Sequence, residues 1–384
     1  MKLKDVLIDE MFRRNQRNID ELKSNLNTKE EKEESWAFCL GAGVSISCGL
    51  PDWSKLLAII SGNLLNSYTV PDVLDNELLQ IMAELIGHIE KSDDFIKAMS
   101  GAAQGSAVGI YRNIDPLELA EYIRTMVGEL FGIRGNDELI NRILHEYIRE
   151  SFGVKWDADN KIVGYDKSTL KAVVEMMENK KIRRAITYNY DDLLEMSLRE
   201  DGNRVETIVP EEKKEFVEGT DVYRVYHCHG LVPVQDSADL EQITSQIILT
   251  ETSYYNEEAS NYSLANVLQA YSMNYCNLLY VGFSGADYTF RRIIRGLGLD
   301  KDAMQHYIFF CADDIVNMVY DGRTNKEITK DEFIRQVACG NTRYDYERLM
   351  INQLIVSKTL YWKEKGMNVI WSTWEELPQV LMGL

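Results

Sequence analysis

The sequence predicts an α/β fold, in which a mostly parallel sheet is flanked by helices and carries a large helical insertion. Short apolar segments alternate with helical patterns after about residue 184. An apolar run at 36–40 passes directly into a glycine turn, and the stretch from about 53 to 150 has helical spacing. Such alternation is typical of parallel strands joined by helices, which bind ligands at the carboxyl ends of the strands.

The individual elements are assigned from the period of their apolar residues and from flanking glycine and polar residues. Strands are predicted at 36–40, 184–187, 223–229, 278–282, 306–311 and 368–371. Helices are predicted at 73–90, 116–131, 138–149, 191–199, 261–274, 289–296, 343–365 and 374–381, with a loop at 101–109.

The chain divides into an amphipathic N-terminal extension, residues 1–34, and one domain, residues 35–384, with the helical insertion at about 60–165. The extension ends in the charge run KEEKEES. Its apolar residues have near-helical spacing, which predicts one helix. Two interpretations remain open for this helix: a solvated cap and a contact between copies of the chain.

Composition limits the classes of partner. The chain has 384 residues, of which 45% are hydrophobic, and a formal net charge of −19. Such a charge repels phosphate backbones and anionic lipids, so we expect no direct nucleic-acid binding and no membrane partner. No apolar run approaches the ~18 residues that span a bilayer.

The cysteines give information on compartment and metal. Six cysteines are scattered through apolar surroundings, and none forms a C-x-x-C pair. This pattern is typical of buried thiols in a reducing cytosol and predicts a cytoplasmic protein. It also predicts that the fold has no zinc module and that no metal is bound.

Four polar or glycine-rich stretches follow predicted strands, and the first is GAGVS at 41–45. It does not match the G-x-G-x-x-G dinucleotide motif, because Ile46 stands where the third glycine belongs and Asn63 where an acidic residue is expected. The glycines still permit close backbone approach, and a helix opening near Asp52 would direct N–H groups at phosphate. A tight turn without a ligand is the alternative.

The second stretch, TYNYD, places Asn189 and Asp191 two residues apart. If the chain is extended there, both side chains share a face and can hold a polar ligand group. Helix capping is the alternative, since Asn and Asp are favoured at helix N-termini.

The third stretch, HCHG, contains His227 and His229, which face the same way if the strand continues. A metal site lacks a third ligand at useful spacing. A hydrogen-bonded core histidine and a catalytic base therefore remain. His229 is the better candidate for chemistry because Gly230 ends the strand beside it.

The fourth stretch, GFSGAD, places Ser284 and Asp287 after an apolar strand. Asp287 fits the N-cap of the next helix. The functional alternative is a contact with ribose or phosphate.

Together these stretches resemble the signatures of the sirtuin-like superfamily, in the same order along the chain. GAGVSISCGLPDW, TYNYD, HCHG and GFSGAD each match one signature. Sirtuin deacylases carry two C-x-x-C pairs, which this chain lacks, and have a shorter segment between Gly41 and Thr187. Both departures resemble the bacterial sirtuin-like NAD hydrolases of antiphage defence.

The resemblance implies a Rossmann-like NAD-binding domain in which NAD is the substrate and no separate cofactor is needed. It implies that Asn189 positions water or the ribose at the reacting carbon, and that His229 is the general base. The residues implied to bind NAD are Gly41, Ala42, Gly43 and Ser45 at the pyrophosphate, Pro51, Asp52 and Trp53 on a loop over the nicotinamide ribose, Asp191 at the nicotinamide amide, and Gly282 and Ser284 at the adenosine ribose.

The resemblance also bears on activity and assembly. Cleavage of NAD to nicotinamide and ADP-ribose is the expected reaction. Two alternatives stay open: ADP-ribosyl transfer or cyclisation, and an NAD- or ADP-ribose-binding sensor or scaffold without turnover. The stand-alone architecture resembles the sirtuin-like subunit that pairs with a HerA-type hexameric ATPase. We therefore expect a homo-oligomer whose activity depends on assembly or on such a partner.

Overall fold

The computed structural model describes residues 1–27, 35–67, 114–158, 161–209, 221–235, 246–259, 264–297, 304–323 and 327–384. The helix predicted at 73–90 and the loop predicted at 101–109 lie outside these ranges. Structural statements below refer to the described residues.

The centre of the fold is a seven-stranded sheet in which all strands are parallel, with the order β3-β4-β2-β1-β5-β6-β7. The strands are β1 Trp36–Leu40, β2 Arg184–Thr187, β3 Val205–Ile208, β4 Tyr223–His227, β5 Asn277–Val281, β6 His306–Cys311 and β7 Met367–Ser372. Every residue of β1, β5 and β6 is buried, as expected for parallel strands covered on both faces.

The order of the strands places the end of β1 at a switch point. The connection after β1 leads to β2 on one side, whereas the connection after β5 leads to β6 on the other. Adjacent connections that leave in opposite directions open a crevice at the carboxyl ends of the two strands. In the register, Leu40 pairs with both Thr187 and Val281, so three strands end at the same level.

Fourteen α-helices are described. They are α1 Asp9–Leu26, α2 Gly43–Ile46, α3 Trp53–Ser67, α4 Pro116–Leu130, α5 Asp137–Ser151, α6 Thr169–Asn179, α7 Leu193–Glu200, α8 Glu251–Ala259, α9 Leu264–Tyr275, α10 Tyr288–Leu297, α11 Ala312–Asp321, α12 Lys330–Ala338, α13 Asp345–Glu364 and α14 Leu377–Met382. The predicted α/β class, a Rossmann-like parallel sheet between helical layers, is confirmed.

The helices form two layers on the sheet and a third cluster beside it. One face of the sheet packs against α9–α13, and the other packs against α2, α6, α7 and α14. Helices α3, α4 and α5 form a separate apolar cluster with Val232, Ile247 and Leu249. These three helices, which stand between β1 and β2 in the chain, therefore pack on segments that follow β4.

Helix α1 lies along β7, at one edge of the sheet. The Asn15 side chain donates to the carbonyl of Trp371 at 2.8 Å and accepts from its N–H at 2.6 Å, while the Asn18 amide donates to the Val369 carbonyl at 2.8 Å. Leu22 is fully buried against the same sheet. The apolar side of this helix is therefore used within the chain, which removes part of the support for a role in self-assembly.

Two sequence predictions about individual residues need correction. Five of the six cysteines are buried as expected, but Cys339 is exposed. Strand β4 ends at His227, and the next two residues form a turn, so the strand does not extend to residue 229. Across the described ranges, we find no helix with both the length and the apolar character needed to cross a membrane.

Candidate functional site

The glycines that follow β1 and β5 pack directly against each other. Gly41 N–H donates to the Val281 carbonyl at 3.1 Å, and Gly43 N–H donates to the Gly282 carbonyl at 3.0 Å. A Cβ atom on Gly41 would lie 2.5 Å from the Gly282 oxygen, closer than real contacts allow. Gly282 has φ +66°, and a Cβ atom on it would lie 2.4 Å from the Val44 nitrogen. These glycines are therefore required by a backbone junction at the switch point, whether or not a ligand binds.

The loop after β1 is joined to the loop after β2 by a cluster of polar side chains. The Ser45 hydroxyl donates to Oδ1 of Asp191 at 3.1 Å. The Asn189 amide donates to the Gly41 carbonyl and to Ser45 Oγ, both at 3.2 Å. Three predicted site residues from two strand ends, Ser45, Asn189 and Asp191, thus form one hydrogen-bonded group.

Asp191 performs two tasks. Its Oδ1 atom also accepts from the N–H of Leu193, the first residue of α7, at 3.2 Å, although the N-cap position itself is Asp192. Burial raises the pKa of Asp191 to about 7, although the hydrogen bonds from Ser45 and Leu193 oppose the shift. Near neutral pH this carboxyl is therefore a mixture of acid and carboxylate, able to donate or accept.

His227 lies between two oxygen atoms. Its Nε2 atom is 2.6 Å from Oε1 of Glu195, and its Nδ1 atom is 3.3 Å from the carbonyl oxygen of Asn189. A carbonyl accepts only, and so does an ionised carboxylate, so both ring nitrogens serve as donors when the ring is protonated. Burial lowers the pKa of His227, but the adjacent Glu195 carboxylate raises it, and the net shift is upward. Two hydrogen-bond acceptors therefore flank the His227 ring, an arrangement that favours its protonated form.

His229 has a different environment. Its side chain is 8% exposed and lies edge-on to the rings of Tyr188, at 5.2 Å, and Tyr254, at 5.5 Å. One ring nitrogen contacts the Tyr188 backbone. Because Nε2 has no hydrogen-bond partner among the described residues, that nitrogen is Nδ1. Burial lowers the pKa of His229, and the Asp287 carboxylate opposes this effect, so the ring is mostly neutral near pH 7.

Asp287 faces the open nitrogen of His229. Its Oδ2 atom lies 3.3 Å from Nε2 of His229 and accepts from the Tyr254 hydroxyl at 3.0 Å. Its Oδ1 atom caps α10 by accepting from the Phe290 N–H at 2.8 Å. The sequence indicated the cap but not the pairing with His229. Only the strand order, which brings the ends of β4 and β5 to the same edge, reveals it.

Backbone contacts join the loop that carries Asn189 to the loop that carries His229. The Tyr190 hydroxyl donates to the Ile248 carbonyl at 2.8 Å, and Ile248 N–H donates to the His229 carbonyl at 3.0 Å. The Tyr190 carbonyl accepts from Val232 N–H at 2.7 Å. The loops that carry the two candidate catalytic residues, Asn189 and His229, are therefore hydrogen-bonded to each other through Tyr190, Val232 and Ile248.

The remaining predicted binding residues have local roles in this structure. Asp52 accepts from Lys55 N–H at 2.8 Å and so caps α3, and phosphate binding at this helix terminus stays a prediction. Trp53 packs on the helical cluster of the insertion, next to Pro51. Ser284 is exposed and accepts from Ala286 N–H at 3.1 Å. Contacts of Asp52, Trp53 and Ser284 with NAD stay predictions, as do those of Ala42.

The cavity described below lies outside this group of polar side chains. A cavity of about 310 Å³ lies between α4, α5 and the segment 246–256, and none of the predicted site residues lines it. Within the described ranges, no three His, Cys, Asp or Glu side chains are grouped so that they could hold a metal ion.

Fold and site together define an α/β protein with a Rossmann-like sheet and a histidine-containing group of polar side chains at its switch point. A family model described as a SIR2-like domain matches residues 183–335. This match runs from β2 to α12 and supports a sirtuin-like family with an NAD-related function; it includes Asn189, His229 and Asp287 but not the glycine loop after β1. No curated protein matches the chain.

Proposed function

We propose that this protein is an NAD hydrolase that cleaves NAD to nicotinamide and ADP-ribose. The observation that carries the proposal is the buried His229, whose lowered pKa keeps the ring neutral near pH 7 and whose Nε2 atom lies 3.3 Å from Oδ2 of Asp287. A base that must be neutral near pH 7 and charged after it takes a proton benefits from such a neighbour.

The reaction needs few groups beyond this base. The bond between the ribose C1′ carbon and nicotinamide breaks, and nicotinamide leaves as a neutral ring, so no general acid is required. The ribose becomes oxocarbenium-like, as in glycoside cleavage. A water oxygen then bonds to C1′, and its proton passes to Nε2 of His229. Asp287 stabilises the resulting imidazolium.

Asn189 would supply position rather than proton transfer. In this structure its amide donates to Gly41 and Ser45. Bound NAD would compete for these hydrogen bonds, because the same loop would hold the pyrophosphate. Released from them, the amide would orient the water or the ribose hydroxyls at the reacting carbon. Correct orientation of bound groups accounts for a large share of the rate enhancement in such reactions.

Asp191 would recognise the nicotinamide amide, as the motif resemblance implies. Its pKa of about 7 supports this role, because the acid form can donate to the amide oxygen and the carboxylate can accept from the amide nitrogen. Gly282 and Ser284 would contact the adenosine ribose from the other side of the switch point.

The experiment is incubation of the purified protein with NAD, followed by mass analysis of the products. Nicotinamide and ADP-ribose in equal amounts support hydrolysis. A cyclic product or a modified protein indicates cyclisation or transfer, and binding without turnover indicates a sensor or scaffold. His229→Ala should reduce nicotinamide release by about 100- to 10,000-fold, the usual contribution of a general base. Asn189→Ala should reduce it by about 100-fold, through lost orientation.

A matched control is His306→Gln. His306 is also buried, but it is the first residue of β6 and so lies at the amino ends of the strands, away from the site at their carboxyl ends. This variant should keep wild-type turnover. Near wild-type turnover in His229→Ala would overturn the assignment of the base.

The wider role is proposed on the motif resemblance alone. We propose that the enzyme depletes cellular NAD in antiphage defence, as a homo-oligomer controlled by assembly or by a HerA-type hexameric ATPase. Light scattering combined with turnover at several protein concentrations tests this. A monomer with full, concentration-independent activity in the absence of a partner would contradict it.

A further inference from the structure

Two histidines that are separated only by Cys228 have opposite environments in this fold. Nε2 of His229 faces Asp287, whereas the His227 ring is held between the Glu195 carboxylate and the Asn189 carbonyl. His227 and Glu195 have side chains that are 0% and 1% exposed, so neither contacts solvent. A charged group buried at this depth is costly unless it is paired, which makes its partners informative.

Glu195 fixes the orientation of the His227 ring. Its Oε1 atom holds Nε2 of His227 at 2.6 Å, and its Oε2 atom is buried without a hydrogen-bond partner among the described residues. Among the described residues, the Glu195 carboxylate therefore makes its side-chain hydrogen bond to His227. Asp191 and Asp192 are the other acidic groups near this pair, and Asp192 is occupied by the Val234 N–H at 2.9 Å.

The other ring nitrogen of His227, Nδ1, contacts the loop that follows β2. Nδ1 of His227 contacts the backbone carbonyl of Asn189, whose own N–H donates to the Thr187 hydroxyl at 3.1 Å. The main chain of Asn189 is thus held on both sides while its side-chain amide points to Gly41 and Ser45. Small displacements of an orienting group lower reaction rates strongly; about 1 Å can cost about 100-fold.

We propose that His227, oriented by Glu195, is a positioning residue that fixes the main chain of Asn189 for the NAD reaction. This inference rests on the proposed function, since it concerns the chemical step at the same site. His227 does not touch the reacting atoms in this account. It acts through the Asn189 carbonyl alone.

Two amide substitutions separate positioning from stability. In His227→Asn, the side-chain amide nitrogen takes the place of Nδ1 and keeps the donor to Asn189. In His227→Gln, the amide nitrogen takes the place of Nε2 and keeps the donor to Glu195. We expect His227→Gln to be the more stable variant, because it retains a partner for the buried carboxylate, and His227→Asn to be the more active.

The expected result is a kcat about 10-fold or more lower in His227→Gln than in His227→Asn, with the KM for NAD unchanged between them. Glu206→Gln is a control for the loss of a buried carboxylate, because Glu206 pairs with Arg224 away from the crevice. It should lower stability and leave kcat unchanged. If activity follows stability, so that His227→Gln is the better enzyme, the positioning role is wrong.

A second readout does not depend on turnover. In protein labelled with ¹³C at the asparagine carbonyl carbon, the Asn189 carbonyl resonance, assigned by its loss in Asn189→Ala, should shift in His227→Gln and stay near its wild-type position in His227→Asn. An unchanged resonance in both variants overturns the inference. Absence of nicotinamide release by the wild-type protein would instead count against the proposed function, and the resonance comparison would still decide the contact.

Discussion

Asp287 Oδ2 lies 3.3 Å from Nε2 of His229, and this atom pair joins the loop after β5 to the loop after β4. The two residues are 58 positions apart in the chain, and they meet because the strand ends lie at the same edge of the sheet. The carboxylate is held by Tyr254 and by the N-terminus of α10, so it cannot move away from the histidine without a cost to the helix cap.

Replacement of Asp287 by Asn should lower kcat by about 10- to 100-fold, less than loss of the base itself. The carboxylate raises the pKa of His229 against the effect of burial, so its removal lowers that pKa further. The acid limb of kcat/KM, which lies below pH 6.5 in the wild-type protein, should therefore move to lower pH in the variant. A pH–rate profile from pH 4.5 to 8 measures both effects.

Tyr254→Phe is the control for that experiment, because it removes a hydrogen bond to the same carboxylate but no charge. Its acid limb should stay near that of the wild-type protein. An Asp287→Asn limb that moves to higher pH would show that the pairing with His229 has been misassigned.

The stability of the protein should depend on pH through Asp191. Its pKa is raised from an ordinary 3.8 to about 7 in the folded chain, so the folded state binds a proton more tightly than the unfolded state. The favourable contribution is complete below about pH 4 and is lost as the pH rises to about 7. Asp191→Asn keeps an acceptor for Ser45 and Leu193 and should lose less free energy of unfolding between pH 5 and pH 8.

Urea denaturation at both pH values measures this difference. The wild-type protein retains Asp192, whose pKa burial raises to about 6, and so does the variant, so its contribution cancels in the comparison. Parallel pH dependence of the two proteins would show that Asp191 titrates in the ordinary range.

The glycine junction between β1 and β5 should be sensitive to a single methyl group. Gly41→Ala would bring a Cβ atom within 2.5 Å of the Gly282 oxygen, which is backbone and cannot rotate away. We expect a loss of about 1–3 kcal/mol in the free energy of unfolding, as for other overpacked positions. The loss should be present without NAD, because the contact is within the protein.

Gly62→Ala is the matched control, since Gly62 lies in α3 and a Cβ atom there meets nothing within 4 Å. That variant should be more stable by about 0.5–1 kcal/mol, the usual gain for alanine in a helix. Chemical denaturation without ligand compares the two. Equal stability of Gly41→Ala and wild type would contradict the junction.

Chelators should not impair turnover. The chain contains no C-x-x-C pair, and the proposed reaction uses a histidine base and positioned polar groups. Elemental analysis of the purified protein, with NAD turnover before and after treatment with EDTA, checks this. Stoichiometric zinc together with loss of activity would require a different account of the site.

The strand ends that form this site could be predicted because each is marked by residues that are neighbours in the sequence. Apolar runs followed by glycine or short polar residues mark the ends of β1, β2 and β5. Parallel alternation then implies that these ends share one edge. The group formed by Ser45, Asn189 and Asp191 follows from that reasoning.

The parts that could not be predicted depend on tertiary structure. Strand β3, Val205–Ile208, has only two buried residues and lies at the edge of the sheet, so its apolar signal is weak. The two histidines were expected to share a face, but β4 ends at His227 and the turn that follows sends His229 to other partners. The Glu195–His227 pair joins a helix to a strand across 32 positions, which no local pattern indicates.

The side-chain contact of Asn15 with Trp371 also affects how copies of this chain can meet. Open edges of sheets are templates for strand addition and fibrous aggregation. Here one amide occupies both the N–H and the carbonyl of Trp371, much as a neighbouring strand would, and Asn18 occupies the carbonyl of Val369. Continuation of the sheet from one molecule into the next is therefore blocked at β7, and an ordered assembly would have to avoid this edge.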